Sequence, residues 1–485
     1  MDHVAPPTDL NDRYRSALES RNASPEMQSI WSPRRRVLVW RRIWLALAES
    51  QHELGLPVTR EQVEALRVAL PSIDFEAAAR HELRLRHDVM AHVHTLGDAA
   101  PLARGIIHLG ATSQDVVCNA DLLLLDDALG LVCGKLAGVI DALGRFAQRW
   151  RGLPTLGFTH YQPAQPTTVG KRACTWAQEL VLALDDLELR RERLPLRGLR
   201  GATGTQASFL ALCDGDAGKV ARLEALFIEK LGWSSRPTLP VCGQTYTRII
   251  DAQIVNGLAV GAAAIHKTCN DLRLLANLKE VEEPFERDQI GSSAMAYKRN
   301  PMRCERATGL ARFVMAAAQN PLNTAATQWF ERTLDDSSNR RLALPEPFLA
   351  FDGALDILIH VTRGLVVHQA MIRSNLAREL PFMATENILM EAVKRGADRQ
   401  DAHEAIRRHS QLAAAKVKEE GLENDLFDRL SADRAFAGLD LRSVLDPSAY
   451  IGLAPRQVDA FIELVVEPIR ARYAGRMTEP AAMKV

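Results

Sequence analysis

The chain predicts a mostly α-helical protein built around a central bundle of very long helices. Prolines are absent between Pro101 and Pro154, between Pro240 and Pro284, and between Pro381 and Pro447. Because proline breaks a helix interior, each gap leaves room for an uninterrupted helix. Within these windows apolar residues recur at spacings of three and four, as one face of a helix requires. Long stretches of strict alternation and strand–helix–strand units are both missing, so strands are few.

In chain order, residues 1–111 mix short helices with turns at Pro57, Pro71 and Pro101 and are read as a first helical domain. Residues 112–364 are read as a second domain holding the long helices, with periodic segments at 116–149, 167–192, 245–279, 303–319 and 348–372. In the third of these, Ile250, Ile254, Leu258, Ala262, Ile265, Cys269, Leu272 and Ala276 share a face. Such a helix would run roughly 50 Å. Its 249–265 portion is apolar nearly all round, which suits a helix buried in a bundle. Between the first two long segments, Thr155 to Pro166 reads as a rigid loop, because Gly157, Pro163 and Pro166 punctuate it. Residues 365–485 return to shorter helices, with a polar stretch at 416–424, and are read as a third domain.

Composition narrows the class. The 485 residues are 47% hydrophobic and 25% charged, ordinary for a soluble globular protein. Lys+Arg and Asp+Glu both number 60, which argues against a general nucleic-acid or membrane surface but leaves a local cationic pocket open. Cysteines at 118, 133, 174, 213, 242, 269 and 304 never fall in CxxC spacing. A reduced compartment fits them better than a disulfide framework or a zinc ribbon. The first fifteen residues lack an apolar core of signal-peptide length, and the longest apolar run, Gly257 to Ile265, is far short of a membrane span. A cytoplasmic protein is expected.

Five segments carry chemistry. Gly291-Ser292-Ser293-Ala294-Met295-Ala296-Tyr297-Lys298-Arg299-Asn300-Pro301 holds two hydroxyls and a cation in a glycine-headed loop. That combination can place an oxygen base beside a charge that stabilises a carbanion. In Arg86-His87-Asp88-Val89-Met90-Ala91-His92-Val93-His94 the histidines lack the spacing of a metal site. Packing roles suit His92 and His94, while Arg86, His87 and Asp88 can meet an anionic ligand. Thr112-Ser113-Gln114-Asp115 has capping-box spacing before a helix, and its free N–H groups suit a carboxylate or phosphate. His160 stands between a glycine and two prolines, flanked by Thr159 and Gln162, as a positioned proton donor could. The arginines of Glu331-Arg332-Thr333-Leu334-Asp335-Asp336-Ser337-Ser338-Asn339-Arg340-Arg341 suit bidentate grip on phosphate or carboxylate.

Taken together, the strings SRNASPEM, RLRHDVMAHVH, IIHLGATSQD, PTLGFTHYQPAQPTTVGKR, GTQASF, GQTYTR, GSSAMAYKRNPM, WFERTLDDSSNRR and LPFMATEN resemble the adenylosuccinate lyase family of the fumarase/aspartase superfamily. The resemblance implies a homotetramer with a multi-helix core, in which three subunits contribute to each active site. It implies elimination of fumarate from adenylosuccinate, giving AMP, and from the succinyl-carboxamide ribotide SAICAR, giving AICAR, in purine nucleotide synthesis. Ser292 matches the family's general base and His160 its acid, with Lys298 stabilising the carbanion and His87 beside them. Arg21, Asn22, Arg86, His87, Asp88, Thr112, Ser113, Gln244, Arg306, Arg332, Ser337 and Arg341 match its substrate pocket. No metal or organic cofactor is implied, and no nucleic-acid or membrane partner. The family commonly has proline where this chain has Ala296, and Arg-Tyr where it has Arg21-Asn22. Another fumarate-releasing lyase and a non-catalytic scaffold on the same fold are the alternative readings.

Overall fold

The computed structural model describes residues 13–441 and 446–477. The signal-peptide reading of residues 1–12 lies outside them. Five long helices form the centre: α1 (Ser113–Arg149), α2 (Val169–Glu192), α3 (Ile249–Asn277), α4 (Met302–Ala317) and α5 (Pro345–Gly364). The first four lie within a few residues of the periodic segments. The fifth stops at Gly364, short of the expected 372, because Leu365 turns extended. Val366 and Val367 then pair with Glu282 and Val281 as strand β4 on strand β3. A new helix begins at Gln369.

Their directions follow from contacts at the two ends. Arg197 bonds both Asp115 at the start of α1 and the Gly243 carbonyl just before α3. At the other end Thr155, after α1, donates to Glu280, after α3, at 3.2 Å. Thus α1 and α3 run parallel. The Arg248–Asp336 pair at one end and the β3–β4 pairing at the other set α5 alongside them, while α2 and α4 run back. Leu122, Leu125, Leu129, Leu136 and Leu143 of α1 are fully buried between the helices, each contributing on the order of 1.5–3 kcal/mol. By length and composition α3 could cross a membrane, yet 61% of its most apolar stretch is buried inside the chain.

The segment expected as a rigid loop is a hairpin: β1 (Pro154–Thr159) pairs antiparallel with β2 (Gln162–Thr168). Proline is tolerated because both strands of a two-stranded ribbon are edges, where a missing N–H costs little. Beyond α5, Ile388, Leu389, Ile406, Leu426, Leu430 and Phe436 enclose a second apolar core. The helices Ala454–Phe461 and Glu467–Arg472 then come back to the first core through Val458, Ile469 and Tyr473.

Candidate active site

At the end of the bundle where α1 begins lies a cleft of about 540 Å³, bounded by three helix starts. The first belongs to helix Asp88–Ala99, whose N-cap is His87: the ring Nδ1 accepts the Met90 amide at 3.4 Å. That bond needs an unprotonated Nδ1 and leaves Nε2 as the donor, 3.3 Å from Ser113 Oγ. Just ahead, Arg86 has a left-handed backbone (φ 55°) and ends the preceding helix; strain of this kind collects at functional sites. The second start is α1, where Asp115 reaches back to the Thr112 amide at 2.8 Å, as the capping-box spacing predicts. The same buried carboxylate gathers the amides of Arg200 (2.8 Å) and Gly201 (3.1 Å), tying the 197–201 turn to the cleft. The third start is helix Asp336–Ala343, with Ser337 in its first turn.

Six arginines and four carboxylates line the cleft, so positive charge is in excess and the helix dipoles add to it. Not all of these arginines face a ligand. Arg340 is buried against Asp251 (2.7 Å), Asp121 (2.8 Å) and Tyr246. Arg248 is buried on Asp336 at 2.8 Å. Arg341, one residue on and thus about 100° round the helix, reaches Asp88 at 2.7 Å on the surface. Arg332 sits over Asp336 at 3.7 Å, and burial pulls its guanidinium below the usual arginine range. Of the expected site residues, Arg86, His87, Asp88, Thr112, Ser113, Gln244, Arg332, Ser337 and Arg341 all line this one cleft. His92 and His94 do not: His92 packs edge-on to Trp40 with ring centres 5.6 Å apart, and His94 stacks on His81 at 5.3 Å. Sequence reading missed Arg36, Trp31, Trp40, Asp336 and Arg248. Arg248 lies in the quoted string GQTYTR and Asp336 in WFERTLDDSSNRR, which could have flagged them; the other three lie in none.

The remaining expected residues lie elsewhere. His160 is at the exposed hairpin tip, where it and Tyr161 both adopt positive φ (53° and 56°), as a tight two-residue turn demands. Because α1 has 37 residues, roughly 55 Å of helix separates Ser113 from the hairpin's base. Ser292 and Lys298 lie in the exposed loop beyond α3, at that same far end. This loop is compact. Asn300 donates to the Gly291 carbonyl at 2.7 Å, and the Lys298 amide bonds Met295 at 3.0 Å. Ser292 Oγ accepts the amides of Met295 (3.1 Å) and Ala294 (3.4 Å). Arg21, Asn22 and Arg306 share a further pocket of about 440 Å³ on the flank of α4 and α5.

Comparison with known proteins adds to this geometry. A family model described as "Lyase" matches residues 62–316, and one described as "Adenylosuccinate lyase C-terminus" matches residues 381–461. The chain is 50% identical over 471 residues to the adenylosuccinate lyase of Schizosaccharomyces pombe, covering 96% of this chain and 97% of that one. It is 51% identical over 457 residues to the adenylosuccinate lyase of Saccharomyces cerevisiae, with 93% and 94% covered. Among solved structures, the 3-carboxy-cis,cis-muconate lactonizing enzyme of Pseudomonas putida superposes with a TM-score of 0.81 at 26% identity, over 94% of this chain and 100% of that one. With half its residues identical to such relatives along almost its entire length, the chain belongs to the adenylosuccinate lyase family.

Proposed function

We propose that the chain eliminates fumarate from adenylosuccinate, releasing AMP, and from SAICAR, releasing AICAR, with Ser292 as base and His160 as acid. The cleft carries this reading: three helix starts and an excess of arginine suit a ligand bearing a phosphate and two carboxylates. In the reaction, Ser292 Oγ takes the proton beside a succinyl carboxylate. The electron pair delocalises into that carboxylate as an aci-carbanion, which Lys298 stabilises. The carbon–nitrogen bond then breaks, its pair goes to the departing nitrogen (the purine amino nitrogen of adenylosuccinate, the carboxamide nitrogen of SAICAR), and His160 protonates that nitrogen as fumarate leaves. A serine hydroxyl is by itself a very weak acid. The two amides donating to Ser292 Oγ favour its anionic form, and loop closure into a dry site would strengthen them.

Each site is assembled from several copies of the chain, in a homotetramer. The support is distance: roughly 55 Å of helix divides the cleft from the base of the His160 hairpin. Exposed apolar side chains point the same way. Ile290 and Tyr297 stand out on the Ser292 loop, Trp329, Phe330 and Leu334 on the loop before helix Asp336–Ala343, and Ile249, Val260 and Leu274 on α3, apolar side chains that a neighbouring copy would cover. The reaction is tested by the absorbance change as adenylosuccinate becomes AMP. Turnover of both succinylated substrates is expected; folded protein inert toward both would refute the proposal.

A further inference from the structure

Inside the bundle lies a cluster of charges for which the proposed chemistry has no use. Lys135 of α1 is fully buried, its Nζ 2.5 Å from Asp352 and 2.7 Å from Asp356, both on α5. Buried ions are costly unless their remaining lone pairs are satisfied. Asp352 turns its second oxygen to the Ser24 amide, at 2.7 Å. Ser24 closes the turn that carries Arg21 and Asn22. The next residue on α5 completes the seat: a Cβ at Gly353 would lie 2.6 Å from the Asn22 carbonyl oxygen, so only glycine lets the turn rest on the helix. The Asn22 side chain is engaged at both ends. Its Nδ2 donates to the Ala17 carbonyl at 2.7 Å, and its Oδ1 accepts Arg306 Nε at 2.9 Å. Arg306 Nη2 donates to the Arg21 carbonyl at 2.5 Å.

We infer that Asn22 is a positioning residue for Arg306, and that the Lys135–Asp352 pair anchors the turn from beneath. The inference rests on reading Arg306 as a residue that grips an anion of the substrate. Two donors held by one turn fix the plane of the guanidinium, and with it the direction from which a planar anion can be met. Asn22 thereby aims the arginine, and its own amide is spent within the chain.

The test is a cycle of Asn22→Ala and Arg306→Lys, alone and combined, measuring KM and kcat for adenylosuccinate. A crystal structure of Asn22→Ala and the unfolding temperatures of all variants complete it. Asn22→Ala should raise KM by roughly tenfold, as loss of one charge-assisted hydrogen bond would, with kcat and unfolding temperature little changed. In the Arg306→Lys background it should add almost nothing. Gly353→Ala, which alters no polar group, should raise KM by the same route and also be non-additive with Arg306→Lys. Fully additive effects would overturn the inference, and so would an Arg306 side chain that keeps its place in crystals of Asn22→Ala. A KM unmoved by Arg306→Lys would refute the anion-gripping reading instead, leaving the crystal structure to decide whether Asn22 positions the side chain.

Discussion

Replacing Gly291 by alanine should disable the serine loop while leaving the fold intact. A Cβ at this position would lie 2.1 Å from the Lys298 carbonyl oxygen, whereas carbon needs roughly 3.2 Å or more to a neighbour of this kind. The backbone at Lys298 must therefore retreat by about 1 Å, opening the ring closed by Asn300 on the Gly291 carbonyl. Ser292 and Lys298 would separate from their present relation, and a misplacement of about 1 Å can cost about a hundredfold in rate. The loop lies outside the apolar cores, so the unfolding temperature should move by no more than about 2 °C. Steady-state absorbance assays should give a kcat about a hundredfold lower with KM within a few-fold of the parent. A variant turning over at the parent's rate would mean that the compact loop is not the productive arrangement.

Ser292→Ala and His160→Ala should each lower kcat by about a hundredfold or more while substrate still binds by calorimetry; near-normal turnover in either would remove that residue from its role. Burial holds the His108 imidazole below its ordinary value, where its Nδ1 accepts the Trp44 indole N–H at 3.0 Å. The unfolded chain takes up this proton first, so the stability it confers is complete above about pH 6.5 and is lost as pH falls through the folded value. Unfolding temperature should thus drop as pH falls below about 6.5, less steeply in His108→Gln; parallel curves for the two proteins would count against this. Arg340→Leu strips the counter-ion from buried Asp251 and should cost about 3–5 kcal/mol in chemical unfolding, and a loss below about 1 kcal/mol would show that the buried network is dispensable.

The long helices were legible because two strong signals coincide: proline-free windows, and apolar spacing of three and four. The cleft was half legible. Arg86-His87-Asp88, Thr112-Ser113 and Arg332 to Arg341 each announce a helix start or a cation run, and the fold brings the three together. Their phase within a helix was harder to read: Arg340 and Arg341 are neighbours in sequence, yet one turns into the core and the other to the surface. The 154–168 hairpin stayed hidden because Pro163 and Pro166 argue for a loop, and nothing local says that both strands are edges. Lys135 gave no signal at all. Its partners lie more than 200 residues away on α5, and only packing of α1 against α5 reveals that it is paired.

Subunit mixing addresses the shared site directly. His87→Ala and His160→Ala, each inactive alone, would be combined under conditions that let subunits exchange, with hybrids confirmed by native mass. If cleft and hairpin tip come from different chains, random assortment leaves both histidines intact in roughly a quarter of sites, and activity should return to about that level. If both come from one chain no hybrid site is complete, and mass-verified hybrids that stay inactive would contradict the account.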